Sequence, residues 1–262
     1  MRSFRWYPAL AVALVAAGVV TACETVPYTG RSQLQFMSPQ QESQLGAQAY
    51  QQTLAKARLS SDAAASEMVT RVGSRIAAVT GHPEYKWEYR LIQDDKQVNA
   101  FALPGGKVAV YTGILPITRD ENGLAAVLGH EIGHVIARHG GERVSQQMLV
   151  NVGLETTMAA LSRGNPATVQ AVASLLGAGA TVGVLLPWSR AQESEADHLG
   201  LILMAKAGYD PHAARDLWVR MAAAPQGSGK PPEFLSTHPS EPTRIKQIEV
   251  WMPEAMKYYR PR

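Results

Sequence analysis

The feature that most constrains this chain is the stretch from Gly129 to His134, which reads His-Glu-x-x-His inside a run with helical apolar spacing. Residues four apart lie on one face of an α-helix with Cβ atoms about 6 Å apart, so the imidazoles of His130 and His134 can converge on one metal ion. Glu131 then lies beside the metal, where its carboxylate can take a proton from water. This pattern is a signature of zinc hydrolases. A helix with two surface histidines is disfavoured because the helix is otherwise apolar and buried polar groups need partners.

The length, composition and charge of the chain restrict the class of protein to which it can belong. The 262 residues suit one large catalytic domain, or at most two small ones. A hydrophobic content of 46% with 18% charged residues is ordinary for a globular protein and excludes a disordered chain. Residues 1–22 carry two arginines and no acids, which leaves 23 basic against 22 acidic residues in the rest of the chain. This near-neutral balance gives no reason to expect a nucleic-acid partner.

The N-terminus has the pattern of an export signal. Arg2 and Arg5 precede an uncharged apolar run over 9–20, which is too short to span a bilayer but suits the core of a secretory signal peptide. Small residues then precede Cys23, the single cysteine of the chain, as in a bacterial lipobox. We therefore predict that Cys23 is lipidated. The alternative is a plain signal peptide with an incidental cysteine.

Helix and strand signals both occur in the remaining chain. Capping boxes begin at Ser38 and Ser189, which predicts helices over 38–58 and from 189 to about 207. The His-Glu helix is expected to begin at Glu121 or the next residue. Strands are expected where apolar and polar residues alternate around a Pro-Gly-Gly turn. The predicted strands are 87–91, 98–103 and 107–112.

One uncharged segment has two interpretations. Residues 169–186 contain no charge over eighteen positions, a length that permits a membrane span. We prefer a buried or lid-like helical segment over the cleft. The segment is rich in Gly, Ala, Thr and Ser and lacks an aromatic belt on its N-terminal side.

A catalytic zinc takes three protein ligands and leaves one position open, so a third ligand must come from elsewhere in the chain. His139 is excluded because nine residues along a helix place it half a turn from His130, and we expect it to cap the helix C-terminus. Glu193 and Asp197 share a helix face, so one could bind zinc while the other accepts an N–H from a zinc-bound imidazole. A solvated acidic helix start fits the spacing equally well. The other candidates are Glu195, His198, His212 and His238.

Four blocks of the sequence resemble metallopeptidase family forty-eight. In chain order they are Asn99-Ala100-Phe101-Ala102-Leu103-Pro104-Gly105-Gly106, His130-Glu131-Ile132-Gly133-His134, Glu193-Ser194-Glu195-Ala196-Asp197, and Ser236-Thr237-His238-Pro239 with Arg244. The family includes the CaaX prenyl proteases, HtpX and periplasmic proteases of the BepA and LoiP type. The blocks come in the family's order, and Cys23-Glu24-Thr25-Val26-Pro27 with Thr29-Gly30-Arg31 resembles its lipoprotein branch.

The resemblance implies roles for the site residues. Glu193 becomes the third ligand of one Zn²⁺ per chain, and Asp197 the acid that orients a ligand histidine. Glu195 is the weaker ligand candidate, since two residues turn it about 200° from Glu193. His238 would stand near the metal, where it stabilises the tetrahedral intermediate or occupies the fourth zinc position and holds the enzyme off. Arg244 would act in the same region. Without the resemblance, a structural His-Pro turn and an arginine paired with a carboxylate would be favoured.

The fold that the resemblance implies is α+β. We expect a mostly helical zincin domain of the gluzincin type, with a small antiparallel β-sheet beside the active-site helix. The predicted domains are a lipoprotein signal peptide over 1–22, a lipidated tether over 23–37 and a zinc metallopeptidase domain over 38–262.

The expected function is that of a zinc endopeptidase of the bacterial cell envelope. Lipid-anchored through Cys23, it would face the periplasm, with the outer membrane favoured over the inner. Its substrates would be unfolded or misfolded polypeptides, paired by β-strand addition along Asn99, Ala100 and Phe101. The outer-membrane assembly machinery is a further expected partner. Three alternatives remain: an envelope chaperone or assembly factor with an inactive zinc site, an integral membrane protease spanning at 169–186, and a zinc protein unrelated to peptide hydrolysis.

Overall fold

The structure is a computed structural model that describes residues 23–148, 150, 189–223, 233–238 and 242–261. The predicted signal peptide over 1–22 and the uncharged segment over 169–186 lie outside these residues. Within the described ranges, no helix combines the length and apolar character that crossing a bilayer requires.

The described chain is mostly helical with small sheets, as the sequence predicts. The strands are β1 (Cys23–Thr25), β2 (Ser32–Leu34), β3 (Glu88–Ile92), β4 (Ala100–Leu103) and β5 (Lys107–Tyr111). The helices are α1 (Pro39–Leu54), α2 (Ala63–Ala77), α3 (Leu115–Thr118), α4 (Glu121–Ile136), α5 (139–148), α6 (Arg190–Lys206), α7 (His212–Ala223), α8 (Glu233–Thr237) and α9 (Pro242–Ala255). A 3-10 turn, Thr112–Ile114, precedes α3.

Local capping signals fix the starts of the helices that frame the site. The capping boxes at Ser38 and Ser189 are both formed, and α6 begins directly after Ser189. Asp120 caps α4 by accepting a hydrogen bond from the backbone N–H of Gly123. Because each cap satisfies backbone N–H groups that have no partner inside the helix, these three starts could be located from the sequence.

The sheet beside α4 is mixed, and the prediction of a purely antiparallel sheet is wrong. Its strand order is β3-β5-β4, with β5 parallel to β3 and antiparallel to β4. The chain leaves β3, forms β4 at the edge and returns through the Pro-Gly-Gly turn to insert β5 between them. Gly105 and Gly106 have φ values of 81° and 85°, which glycine adopts without steric cost. No other described strand pairs with β4, so its far edge is not paired with any strand among these residues.

Helices α4 and α6 cross with their backbones almost in contact, which brings the two halves of the site together. Every residue of α4 from Gly123 to Ile136 is buried. A Cβ on Gly200 would lie 2.8 Å from the backbone nitrogen of His130, and a Cβ on Gly133 would lie 2.8 Å from the carbonyl oxygen of Ala196. Real Cβ contacts are longer, so these glycines permit the close crossing.

Residues 23–37 are folded, whereas a polar tether was predicted there. Strands β1 and β2 form an antiparallel hairpin that packs on the junction of α4 and α5. Val26 is buried with Ala137 and Leu199, and the side chain of Gln33 donates to the carbonyl of Ala137 at 2.8 Å. The polar composition of this segment gave no sign of the fold, because Gln33 and Gln35 donate to the carbonyls of Ala137 and Arg138 between α4 and α5.

Candidate metal centre

Four buried side chains converge at the crossing of α4 and α6. They are His130 and His134 from α4, Glu193 from the first turn of α6, and His238 after α8, and one ligand atom of each lies within 4.8 Å of the others. Sequence spacing did not identify the third ligand, and in the structure Glu193 is the acid that lies beside the Nε2 atoms of both histidines, at 3.6 and 3.2 Å. The cluster is able to bind one metal ion.

The two α4 histidines bond through Nδ1 to groups behind them, while their Nε2 atoms lie inside the cluster, where His130 Nε2 is 3.0 Å from His238 Nδ1. His130 Nδ1 lies 2.9 Å from Asp197 Oδ1, so this nitrogen carries the hydrogen and Nε2 keeps its lone pair. His134 Nδ1 likewise lies 2.8 Å from another group, His139 Nδ1. The two Nε2 atoms face one another at 3.1 Å. Opposed lone pairs at this distance fit a cation between them, and the donor set of two imidazoles and a carboxylate is one that zinc prefers.

Glu193 provides the negative charge of the cluster. Its Oε1 lies 3.2 Å from His134 Nε2 and 2.8 Å from His238 Nδ1. Its Oε2 lies 2.7 Å from Arg244 Nη1, yet not in hydrogen-bond geometry, and has no other hydrogen-bond partner among the described residues. Burial alone would raise the pKa of Glu193, but the neighbouring histidines hold it far below its usual range. The side chain is therefore an ionised carboxylate inside the cluster, with Oε1 beside the histidines and Oε2 beside the guanidinium of Arg244.

Glu131 lies beside the four converging groups. Its side chain is 4% exposed, and Oε1 lies 3.3 Å from His238 Nε2 without forming a hydrogen bond. Burial raises the pKa of Glu131 above the ordinary carboxyl range, and the nearby His238 and His130 only partly oppose this. A carboxylate whose pKa is raised is a stronger base than an ordinary carboxylate.

His238 is held between the ligands and Glu131. Its backbone N–H donates to the carbonyl of Phe234 at 2.8 Å, and the two rings stack with centroids 4.6 Å apart. Helix α8 is in turn joined to the chain ahead of β4, because the N–H of Phe234 donates to the carbonyl of Val98 at 3.0 Å. Burial lowers the pKa of His238, but the carboxylates of Glu131 and Glu193 outweigh this and raise it.

Arg244 lies between two of the acids of α6, Glu193 and Asp197. It donates to both oxygens of Asp197, with a distance of 2.7 Å between Nη2 and Oδ1. Its guanidinium lies 3.4 Å from the centre of the Trp218 ring. The arginine therefore pairs with carboxylates, one of the two roles considered from the sequence, and it fixes the acid that bonds to His130.

The remaining ligand candidates lie away from the cluster. Glu195 faces the N-terminal hairpin, as the 200° rotation predicts, and accepts from Arg31 at 2.7 Å. His198 pairs with Glu254 at 2.7 Å. His212 is an exposed partner of Asp210.

The prediction for His139 is corrected by the structure. Helix α4 ends at Ile136, and Arg138 has a φ of 56°, so His139 begins α5 instead of capping α4. The chain reversal brings its ring to His134, with 2.8 Å between the two Nδ1 atoms. His139 lies outside the cluster of possible metal ligands, as the nine-residue rotation predicts, although α4 ends before it. Nothing in the spacing could have shown the reversal.

The predicted substrate strand lies next to Glu131. The N–H of Tyr111 donates to the carbonyl of Asn99 at 3.0 Å, and Phe101 is in register with Ala109, so Asn99 and Phe101 face β5. Antiparallel alternation then turns the backbone groups of Ala100 and Ala102 to the free edge. The backbone of Ala102 lies near the carboxylate of Glu131 and partly opposes the rise of its pKa. Of the predicted substrate-binding residues Asn99, Ala100 and Phe101, only Ala100 turns its backbone groups to the free edge. Ala102, which was not predicted, does the same.

Comparison with known proteins identifies the family. Residues 63–252 match Peptidase family M48. The chain is 41% identical to the mitochondrial metalloendopeptidase OMA1 of Schizosaccharomyces pombe over 97% of its own length and 74% of that relative. It is 36% identical to the OMA1 of Saccharomyces cerevisiae over 66% of the chain and 49% of the relative. It is also 31% identical to the beta-barrel assembly-enhancing protease of Yersinia pestis, over 87% of the chain and 47% of the relative.

These relatives correct the predicted location. The relatives of higher identity are named as mitochondrial metalloendopeptidases, so the predicted bacterial envelope protease, with its periplasm-facing outer-membrane location, is wrong. The four sequence blocks identify the peptidase family but carry no information about cellular location, so the location could not be predicted from them. Lipidation of Cys23 stays a prediction.

The catalytic part of the prediction is supported by the same comparison. Relatives in fungi, plants and mammals are named metalloendopeptidases, and the described site has the zinc-binding side chains that this activity needs. The family match covers more than half of the chain. The chain therefore belongs to Peptidase family M48, and it is a zinc-dependent metalloendopeptidase.

Proposed function

We propose that this chain hydrolyses internal peptide bonds of unfolded polypeptides, with His130, His134 and Glu193 as the zinc ligands. The observation that carries the proposal is the convergence of these groups beside the buried carboxylate of Glu131. When bound there, zinc supplies Lewis-acid chemistry, which polarises a peptide carbonyl and makes water more acidic.

Glu131 is the proposed general base. Its raised pKa and its position beside the ligands suit it to take a proton from the attacking water and to pass that proton to the departing amine nitrogen. Acid–base assistance of this kind contributes typically about 10²–10⁴-fold to the rate. Glu131 binds no zinc in this scheme, so its removal should slow hydrolysis without removing the metal from the site.

The substrate is proposed to bind as an added strand on β4. Ala100 and Ala102 turn their backbone groups to the free edge, next to Glu131. In the structure the N–H of Ala100 bonds to the side chain of Asn99 at 2.9 Å, so an incoming peptide exchanges local contacts for its own backbone hydrogen bonds. Such pairing reads the backbone more than the side chains. It requires an extended segment, which an unfolded chain offers and a folded protein does not.

His238 is proposed to hold the site closed in this conformation. Its Nδ1 lies 2.8 Å from Glu193 Oε1, and its Nε2 lies 3.3 Å from Glu131 Oε1. The ring therefore fills the space between ligand and base, which the attacking water needs. Of the two roles that the family resemblance implies, this geometry favours the blocking one.

A digestion experiment tests the function. Casein, which is unfolded, and a folded protein are incubated with the zinc-loaded chain, with Glu131→Gln and with the exposed control Glu67→Gln. We expect wild type and Glu67→Gln to cut casein and spare the folded protein, and Glu131→Gln to be at least about 10²-fold slower while retaining zinc. Equal rates for wild type and Glu131→Gln would refute the role of the base. Equal cleavage of both proteins would refute strand addition.

A further inference from the structure

A second hydrogen-bonded series lies behind the zinc ligand His134. His134 Nδ1 lies 2.8 Å from His139 Nδ1, and His139 Nε2 lies 3.1 Å from Glu195 Oε2. The ring of His139 has no exposed surface, and Glu195 is 6% exposed. Neither residue belongs to the proposed ligand set or touches the proposed base.

The direction of the hydrogen bonds follows from the position of the metal. A ligand His134 gives its Nε2 lone pair to the cluster, so its Nδ1 carries the hydrogen and donates to His139 Nδ1. His139 then carries its own hydrogen on Nε2 and donates to the carboxylate of Glu195. Each hydrogen has an acceptor, and each ring is neutral. The series therefore selects the one tautomer of His134 that can bind zinc through Nε2.

The charge of Glu195 is balanced by the N-terminal hairpin. Thr29 donates to its Oε1 at 2.6 Å, and Arg31 donates to its Oε2 at 2.7 Å. Arg31 also binds both oxygens of Glu142 on α5, at 2.6 and 2.8 Å. The guanidinium thus connects the hairpin to α5 and α6 at the end of the series that begins at His134.

The two zinc-binding histidines are supported in the same way from the same helix. His130 donates to Asp197, which is paired with Arg244. His134 reaches Glu195, two residues earlier on α6, through one inserted imidazole. Each zinc-binding histidine is therefore connected to an acid that pairs with an arginine. The connection is direct for His130 and passes through His139 for His134. Groups that orient a metal ligand in this manner typically change metal affinity about 10–100-fold when they are removed.

We propose that His139 is a positioning residue that fixes the ring of His134 for zinc, and that the hairpin formed by residues 23–36 tunes zinc affinity through Arg31 and Glu195. The proposal rests on the proposed function only in taking His134 as a zinc ligand. In this proposal the N-terminal segment influences the metal site indirectly, through Arg31, Glu195 and His139.

Zinc affinity, measured by competition with a chromophoric chelator, tests the proposal in the full chain. His139→Leu fills the space without hydrogen bonds, and His139→Asn keeps a carbonyl that can accept from His134. We expect the dissociation constant for zinc to rise about 10–100-fold in His139→Leu and to recover partly in His139→Asn. We expect a smaller rise in Arg31→Gln. The visible spectrum of bound Co²⁺ should change in His139→Leu, because the ring of His134 is no longer fixed.

Two matched controls keep the result specific. His198→Leu removes a histidine of α6 that pairs with Glu254, and Arg71→Gln removes an arginine that pairs with Glu121; both should bind zinc as wild type does. An unchanged affinity and cobalt spectrum in His139→Leu would overturn the proposal. Should that variant fail to fold, unchanged affinity in both His139→Asn and Arg31→Gln would do so. Wild type that binds zinc but cuts no peptide would instead refute the proposed function alone.

Discussion

The Nε2 atoms of His130 and His134 lie 3.1 Å apart, and each ring has its other nitrogen engaged in a hydrogen bond. Two lone pairs that face each other at this distance repel, and both rings are buried in a low-dielectric environment that strengthens the repulsion. The folded chain therefore maintains an arrangement that a divalent cation stabilises. Metal binding should accordingly contribute to the stability of the fold as well as to its chemistry.

Removal of zinc should lower the thermal midpoint of unfolding. A ligand that binds only the folded state at 100 to 1,000 times its dissociation constant stabilises by about 2.7–4.1 kcal/mol. In a chain of this size that corresponds to a shift of about 5–15 °C. Scanning calorimetry with and without a chelator measures it. The double variant His130→Ala, His134→Ala should show no chelator effect, and an equal shift in that variant would place the zinc elsewhere.

Replacement of His238 by alanine should raise the rate of casein hydrolysis. If the imidazole of His238 leaves room for the attacking water in only about a tenth of the molecules, its removal should raise the rate of hydrolysis about tenfold. His198→Ala, which removes a histidine facing α9 rather than the cluster, should leave the rate unchanged. A fall in rate for His238→Ala would show instead that this side chain stabilises the transition state.

The substitution Gly200→Ala should weaken both the fold and the zinc site. Its Cβ would lie 2.8 Å from the backbone nitrogen of His130, so α4 and α6 must move apart. Overpacking of this kind costs about 1–3 kcal/mol, and the movement takes Glu193 away from the two histidines. Urea denaturation and zinc titration measure the two effects. Gly140→Ala, whose Cβ would meet its nearest neighbour at 3.7 Å, is the matched control and should change neither.

Local signals explain what could be predicted from the sequence. The His-Glu-x-x-His helix begins at Glu121, one of the two predicted starts, and the capping boxes at Ser38 and Ser189 are formed. The three strands beside α4 lie within two residues of their predicted ends. Each of these features depends on neighbours within about four residues, so periodicity and capping residues suffice to reveal it.

Packing between distant segments explains the rest. The parallel pairing of β3 with β5 depends on where β4 inserts. The choice between Glu193 and its neighbours depends on how α6 packs against α4, where Gly133 and Ala196 approach closely. The contact of His139 with His134 depends on a chain reversal at Arg138. None of these contacts produces a periodic pattern in the sequence. The spacing made both Glu193 and Asp197 candidates, and only the family resemblance selected Glu193 as the ligand.

The ion pair between Glu142 and Arg31 should make stability fall in acid. Burial alone would raise the pKa of Glu142, but hydrogen bonds from Arg31 and Gln192 lower it below its ordinary value. A carboxyl whose pKa is lower in the folded state stabilises the fold above its unfolded pKa, about 4.3 for glutamate, and this contribution disappears as the pH falls through the folded pKa. Glu142→Gln should therefore cost about 1–3 kcal/mol near pH 7, and its difference from wild type should shrink below pH 4. Urea denaturation over this pH range measures the difference, with the exposed Glu249→Gln as control; a difference that grows toward acid would contradict the assignment.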